Sequence, residues 1–215
     1  LLRQWNFGAM GMSLIGEGSR AFIGLREQKI FEYVASQNEE LSIHLLRPIV
    51  RNNANDVTFD FAELYSLPSK LSRLTEFKNS VLPKLTPDER ILFAKALLSR
   101  FADLHDLRVA HRDVGEHCLW LERPARVVMT GFPAAYYPSL QTVTGFSHEI
   151  KVEGSLLPED SEFVEESTPF RRDVFLLGVA SYQILYGEKP PKVKRTYQWS
   201  KRADDPYEEI LDEVL

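Results

Sequence analysis

Apolar side chains that recur at intervals of three and four residues predict a long amphipathic helix over residues 87–105. The start of this helix is well specified, because Thr86 supplies an N-cap, Pro87 suits the first helical position and Glu89 completes a capping box. The apolar positions along one face are Ile91, Ala94, Leu97, Leu98, Phe101 and Leu104. We therefore expect this helix to pack against a core along most of its length.

A second apolar run predicts a helix near the carboxyl end of the chain, over residues 172–186. Gly187 and the two prolines that follow at 190 and 191 are typical of a helix end. Residues 174–186 carry no formal charge, but the run is shorter than the roughly 20 residues that a membrane span needs. It indicates a buried core helix, and the sequence predicts no membrane partner.

Short apolar runs separated by turn-forming residues predict two antiparallel hairpins. The first joins residues 43–50 to residues 57–64 across an Asn-rich cluster, and the second joins residues 118–122 to residues 126–130. A further helix is predicted over residues 26–35. Hairpins and helices in separate stretches of chain indicate an α+β fold.

The composition is that of an ordinary globular domain. The chain has 215 residues, a formal charge of −5, 44% hydrophobic residues and 27% charged residues, which excludes disordered and fibrous classes. A single cysteine, Cys118, cannot form an internal disulfide, so a cytoplasmic location is expected. The mildly acidic balance does not indicate nucleic acid as a partner.

Four short segments occur in a fixed order among these predicted elements. They are His-Arg-Asp at 111–113, Thr-Gly-Phe-Pro at 130–133, Leu-Pro-Glu at 157–159 and Arg-Asp-Val-Phe-Leu-Leu-Gly-Val at 172–179. In this order they resemble the larger lobe of the protein kinase superfamily, where the corresponding segments are H-R-D-x-x-x-x-N, D-F-G, A-P-E and D-V-W-S-x-G-V. The resemblance covers about residues 57–191.

The resemblance implies a two-lobed α+β fold that forms one kinase-like domain. Residues 1–65 would form a small lobe with an antiparallel sheet and one helix, and residues 66–215 a mainly helical lobe that stops early. The site residues carried over from the family are His111, Arg112 and Asp113 for catalysis, and Asp173 and Glu159 for structure. The residues alone leave open whether Asp113 accepts a proton in catalysis or serves the structure of its loop.

The smaller lobe matches the family less closely. Residues 15–23 resemble the glycine-rich loop, in which Gly16 and Gly18 would let backbone N–H groups approach nucleotide phosphates, and an ordinary hairpin turn is the alternative. Glu27 is the candidate for the glutamate that pairs with a strand lysine in the family. No Val-Ala-Ile-Lys segment precedes it, so either Lys29 substitutes or the lysine is absent, and we favour absence.

ATP is the cofactor that the resemblance implies. Residues 57–64 resemble the strand that ends at the hinge between the lobes, so Glu63 and Tyr65 would lie beside an adenine ring. Whether Mg²⁺ or Mn²⁺ accompanies the nucleotide depends on the metal ligands, and these depart from the family.

Gly131 and Cys118 stand at the two positions where the family places its Mg²⁺ ligands. Glycine has no ligand, and a thiol is a poor match for a hard, oxygen-seeking cation. A general base contributes about 10² to 10⁴ in rate and cannot replace a missing metal. The sequence therefore predicts a pseudokinase that regulates a linked domain or partner by binding a nucleotide or protein. The alternatives are an active, atypical serine/threonine kinase that transfers the γ-phosphate of ATP, and a scaffold without a ligand.

Two residues of the same loop could in principle restore a metal site. Glu116 and His117 with Asp113 would form a set of nitrogen and oxygen donors suited to Mn²⁺ or Zn²⁺, but a hydrogen bond of His117 within the loop is the favoured interpretation. Cys118 could serve as a nucleophile near His111 or as a small buried residue, and we favour the latter.

The chain also resembles a narrower group. Residues 116–120, 130–132 and 5–7 are similar to bacterial kinase-like domains attached to nuclease-related (NERD) domains in multidomain proteins. This resemblance implies that the chain is part of a longer protein and that its partner is a linked domain.

Overall fold

A computed structural model gives the architecture of the chain. It describes residues 2–5, 17–52, 61–138, 169–193, 196–197, 205–208 and 210. Over these residues the chain combines helices with small antiparallel sheets, as the α+β prediction requires. None of the helices in the described ranges has the length and apolar character needed to cross a membrane.

The described residues form five α-helices, one 3₁₀ turn and eight strands. The helices are α1 (Glu17–Gln37), α2 (Glu39–Ser42), α3 (Leu74–Ser80), α4 (Pro87–Asp106) and α5 (Pro169–Tyr186), with a 3₁₀ turn at Leu82–Lys84. The strands are β1 (Leu2–Trp5), β2 (Pro48–Asn52), β3 (Phe61–Tyr65), β4 (Ser72–Arg73), β5 (Leu119–Glu122), β6 (Arg126–Met129), β7 (Lys192–Val193) and β8 (Thr196–Tyr197).

Both predicted hairpins are confirmed by the pairing of their strands. The first sheet has the order β1-β3-β2, and β2 pairs antiparallel with β3 so that Asn52 faces Ala62. The second sheet has the order β4-β5-β6, with Leu119 opposite Met129. The turn-forming residues at 53–56 of the first hairpin lie outside the described residues.

The long helix is confirmed within one residue of its predicted end. The Thr86 hydroxyl accepts from the backbone N–H of Glu89 at 3.3 Å, and the Glu89 carboxylate accepts from the backbone N–H of Thr86 at 2.9 Å. Two N–H groups that the helix itself leaves without a partner are thereby satisfied. The residues buried along α4 are Phe93, Ala94, Leu97, Phe101 and Leu104.

Helix α5 is buried over almost its whole length, as the uncharged run predicts. It begins at Pro169, three residues before the predicted start, and twelve of its residues are buried. At its end Gly187 has a φ of 81°, which glycine adopts without steric cost, and its N–H donates to the Gln183 carbonyl at 2.9 Å. Its buried side chains include the charged Arg172 and Asp173, which a purely apolar core helix would not have.

Helix α1 corrects one prediction. The helix expected over residues 26–35 is present, but it begins at Glu17 and so includes Gly18. Gly18 is therefore in neither a phosphate-binding loop nor a hairpin turn, and Gly16 lies outside the described residues. Extending a formed helix adds one backbone hydrogen bond per residue, which offsets the cost of about 1 kcal/mol for a helical glycine.

One hydrophobic cluster connects the first helix to the last. It includes Ile30 and Val34 of α1, Phe101 of α4 and Leu176 of α5, all at most 2% exposed. The segment after α2 also pairs with β6, since Met129 donates to the His44 carbonyl at 2.8 Å and accepts from Leu46 at 2.9 Å. The segment that directly follows β6 belongs to the same core, since Phe132 and Ala135 are members of this cluster.

The helix cap gives a direct test of this local structure. Thr86→Ala removes the side-chain acceptor for the Glu89 N–H, and we expect the free energy of unfolding to fall by about 0.5–2 kcal/mol. Urea denaturation measures this difference. Lys95→Ala on the exposed side of α4 is the control and should change stability by less than about 0.5 kcal/mol. Equal effects of the two substitutions would contradict the capping assignment.

Candidate functional site

The candidate site is the loop that joins α4 to β5. His111, Arg112 and Asp113 lie in it side by side, and their exposed fractions are 0%, 1% and 3%. The loop begins beside an isolated bridge between Ala110 and Tyr136, so it is tied to the segment that follows β6. Arg112 has a φ of 67°, in the left-handed region that non-glycine residues adopt at a cost.

Asp173, in the first part of α5, supplies the acceptors that fix this corner of the loop. Its Oδ2 accepts from the backbone N–H of His111 at 2.7 Å, and its Oδ1 accepts from that of Arg112 at 2.6 Å. Nε2 of His105, at the end of α4, donates to Oδ2 at 3.0 Å. The carboxylate is fully buried, so these charge-assisted bonds compensate its desolvation. Asp173 thus fixes the backbone of the loop at His111 and Arg112.

His111 connects the loop to the end of β6. Its Nε2 donates to the Thr130 carbonyl at 2.9 Å, and its Nδ1 accepts from the Asp113 N–H at 3.3 Å. Burial lowers the pKa of His111, although the negative charge of Asp173 opposes the shift. The neutral ring with its proton on Nε2 satisfies both bonds, so His111 acts as an internal connection.

Asp113 is paired with a histidine of its own loop. Nε2 of His117 donates to Oδ2 of Asp113 at 3.0 Å, where the Asp113 side chain is 5% exposed and the His117 side chain is 31% exposed. The ring lies against Gly115, at which a Cβ would come within 3.1 Å of its Nδ1 and Cε1 atoms. The predicted hydrogen bond of His117 within the loop is therefore confirmed.

Glu116 points to a different set of partners. Its carboxylate accepts from Lys78 of α3 at 2.8 Å and from the amide of Gln183 in α5. Burial by itself would raise the pKa of Glu116, but the hydrogen bond and charge of Lys78 bring it below its ordinary value. In the described part of the chain no three His, Cys, Asp or Glu side chains are grouped as metal ligands would be. Glu116 and His117 thus have different side-chain partners, Lys78 and Gln183 for Glu116 and Asp113 for His117.

Cys118 is buried and bonded within the loop. Its Sγ accepts from the Gly115 N–H at 3.2 Å and donates to the Gly115 carbonyl at 3.3 Å, and the residue is 1% exposed. Desolvation raises the pKa of the thiol, and the negative charge of Asp113 raises it further. A buried neutral thiol is a poor nucleophile, so the interpretation of Cys118 as a small buried residue is confirmed.

Helix α1 contacts the segment after β6 through two adjacent side chains. Oε1 of Glu27 accepts from the backbone N–H of Phe132 at 2.8 Å, and the guanidinium of Arg26 donates to the Ala135 carbonyl. Both charged side chains are at most 2% exposed, and burial lowers the pKa of Arg26. Gly131, just before Phe132, has a φ of 79° and no side chain to offer a ligand.

The remaining predicted residues are less closely tied to this loop. Lys29 is exposed on α1, two residues from Glu27 and therefore on another face of the helix. Glu63 lies in β3 opposite Arg3, and Tyr65, which ends that strand, is 3% exposed. Glu159 lies outside the described residues.

Sequence reasoning missed three contributors. Arg26 precedes Glu27, and nothing in a helical stretch marks a charged residue as buried. Lys78 and Gln183 are separated from Glu116 by 38 and 67 residues. The amide of Gln183 on a predicted core helix is a signal that could have suggested a buried polar partner, whereas Lys78 lies in α3, for which no helix is predicted.

No model of a known protein family matches the chain.

The contacts of Asp173 predict a large loss of stability when its carboxylate is removed. Asp173→Ala leaves two buried backbone N–H groups without an acceptor, each of which costs about 1–3 kcal/mol, so the free energy of unfolding should fall by about 2–6 kcal/mol. Asp173→Asn keeps one acceptor oxygen and should lose less. Chemical denaturation measures both, and a loss below about 1 kcal/mol for the alanine variant would contradict the role of Asp173.

The burial of Cys118 predicts that its thiol is protected in the folded protein. We expect almost no reaction with Ellman's reagent in buffer and stoichiometric reaction after unfolding in guanidinium, because only the exposed thiolate attacks the reagent. Absorbance of the released thiolate measures the difference. Rapid labelling of the folded chain would show that Cys118 is accessible, contrary to the structure.

Proposed function

We propose that this chain is a protein-kinase-like domain of the pseudokinase type, which regulates a linked domain or protein partner without transferring phosphate. The observation that carries the proposal is the chemistry at the two positions where kinases bind their metal ions. Gly131 offers no side chain, and the thiol of Cys118 is bonded back to Gly115. These donors do not fit Mg²⁺, which requires oxygen ligands in octahedral geometry.

The arrangement of the surrounding elements supports a kinase-like, two-lobed domain. A three-stranded sheet and α1 precede a helix, a His-Arg-Asp loop, a hairpin and a buried helix whose first part carries the loop-binding Asp173. Glu27 of α1 reaches the backbone of Phe132, which follows Gly131 at the end of the hairpin. Each contact lies in the order along the chain that the resemblance implies.

Two observations weigh against the nucleotide site that the resemblance implies. Gly18 is helical and so does not form a glycine-rich loop over phosphates. Lys29 is exposed and lies on another face of α1 from Glu27. The nucleotide alternative is ATP with its adenine ring beside Glu63 and Tyr65, at the end of β3. The proposal also places the chain in a cytoplasmic bacterial protein in which the partner is a linked domain.

The decisive experiment combines a transfer assay with thermal melting. We expect no transfer of labelled γ-phosphate from ATP with Mg²⁺ or Mn²⁺, and we expect melting in ATP to be insensitive to either metal. A nucleotide present at a concentration of 100 times its Kd stabilises the folded domain by about 2.7 kcal/mol. Melting with and without ATP therefore separates the nucleotide alternative from the protein alternative. Metal-dependent transfer that disappears in Asp113→Ala would overturn the proposal in favour of an active kinase.

Restoring one ligand provides the matched comparison. Asp and Asn both tolerate a positive φ, so Gly131→Asp and Gly131→Asn place side chains of similar shape at the same position. In the nucleotide alternative, we expect only the carboxylate to introduce a Mg²⁺-dependent stabilisation in ATP, because it supplies the charged oxygen that the metal prefers. An unmodified chain that already shows this dependence would contradict the proposal.

A further inference from the structure

A small cluster surrounds Trp120 on the face of the second sheet that points away from the main core. We propose that the indole of Trp120 is a built-in occupant of a site for a purine base, so that the folded chain is closed to a nucleotide base while this ring is in place. The inference rests on the non-catalytic function proposed above and gives a physical reason for it.

The alternation of side chains along β5 separates the ring from the main core. Leu119 and Leu121 belong to the hydrophobic cluster that connects α1 to α5, whereas Trp120 between them points to the other face of the sheet. Val128, directly opposite Trp120 on β6, shares that face. The indole is therefore not part of the packing that holds the long helices together.

The residues that cover this face come from the connections between the two sheets. Leu71 is the third buried member of the cluster, and Leu46 and Leu67 pack against it. Leu67 and Leu71 follow the end of β3, where the nucleotide alternative would have an adenine ring beside Tyr65. Because Trp120 is 4% exposed, its ring fills the space between β5 and these residues.

Two polar groups hold the indole by its face and by its nitrogen. The guanidinium of Arg73, which is opposite Trp120 on β4, lies 5.0 Å from the ring centroid, within the range of a cation–π contact. In the described ranges the Nε atom of Arg73 is buried and has no hydrogen-bond partner. Nε1 of Trp120 donates to the Thr130 hydroxyl at 3.2 Å, and that hydroxyl donates to the Cys118 carbonyl at 3.3 Å.

These groups are the kind that recognise a flat nitrogen heterocycle. Small-molecule sites are mostly apolar and contain a few polar groups that fix the orientation of the ligand, and nucleic-acid bases stack on guanidinium planes. A purine has two fused rings, as indole has, and the exocyclic amino group of adenine can donate to Thr130 as the indole N–H does. The contacts of Trp120 thus have the form of base recognition, with a side chain of the protein in the place of the ligand.

The experiment opens this position and measures the binding of adenosine, which carries no phosphate and needs no metal. Trp120→Leu keeps an apolar side chain on the face and removes the fused rings, and Trp120→Ala opens the space further. We expect about 5 mM adenosine to raise the melting temperature of Trp120→Leu by about 2–4 °C, which corresponds to a Kd of roughly 1 mM. The melting temperature of the unmodified chain should change by less than about 0.5 °C.

A substitution in the main core provides the matched control. Phe77 is also buried, at 1% exposed, but it packs against Phe93 with ring centroids 5.0 Å apart. Phe77→Leu should lower the melting temperature without making it depend on adenosine. Circular dichroism verifies that each variant is folded, and the unmodified chain tests the closed state without any substitution.

The cation over the ring gives a second readout that ordinary packing would not produce. In the Trp120→Leu background, Arg73→Met keeps an apolar stem and removes the guanidinium that would stack on the base. We expect the adenosine-dependent shift in melting temperature to fall by at least about half. An unchanged shift would contradict the assignment of Arg73 to base recognition.

Three results would overturn the proposal. The first is stabilisation of the unmodified chain by adenosine, and the second is folded Trp120→Leu and Trp120→Ala without any adenosine-dependent shift. The third is an equal shift in Phe77→Leu. None of these measurements involves a metal or phosphate transfer, so failure here is distinguishable from failure of the pseudokinase proposal.

Discussion

The candidate site depends on one buried carboxylate at the start of the last long helix. Asp173 accepts the N–H groups of His111 and Arg112, the second of which has a left-handed φ of 67°. A non-glycine residue in that region costs about 1–3 kcal/mol and persists only where its surroundings compensate. Two short, charge-assisted bonds supply that compensation. The conformation of the loop that carries Asp113 and His117 is therefore determined by the side chain of Asp173, which is 60 residues from Asp113 along the chain.

A second constraint acts from the opposite side of the loop. Glu27 and Arg26 bring α1 against the backbone at Phe132 and Ala135, and the Phe132 ring lies 4.5 Å from His111. Buried charged groups are tolerated only where hydrogen bonds offset their desolvation, so these contacts specify one position of the helix. The site is thus bordered by α1, α5 and the end of β6, and its His117 side chain is 31% exposed.

Local signals in the sequence account for much of the fold. The capping box at Thr86, the spacing of apolar residues in α4 and the closing Gly187 each depend on interactions within one or two helical turns. The hairpin of β5 and β6 likewise follows from neighbouring residues. Helix α1 shows the limit of such signals, because a glycine is compatible with a loop as well as with a helix. Gly18 is helical because α1 extends through it to Glu17.

The sequence by itself determined the α+β class, the principal helices and hairpins, and the short list of polar residues around 111–118, because each of these is encoded by short-range spacing and residue chemistry. Only the tertiary structure decided which partners those residues have. Glu116 turns to Lys78, Cys118 turns inward and His117 turns to Asp113. Such choices depend on desolvation and on contacts between residues far apart in the chain, and these have no local pattern.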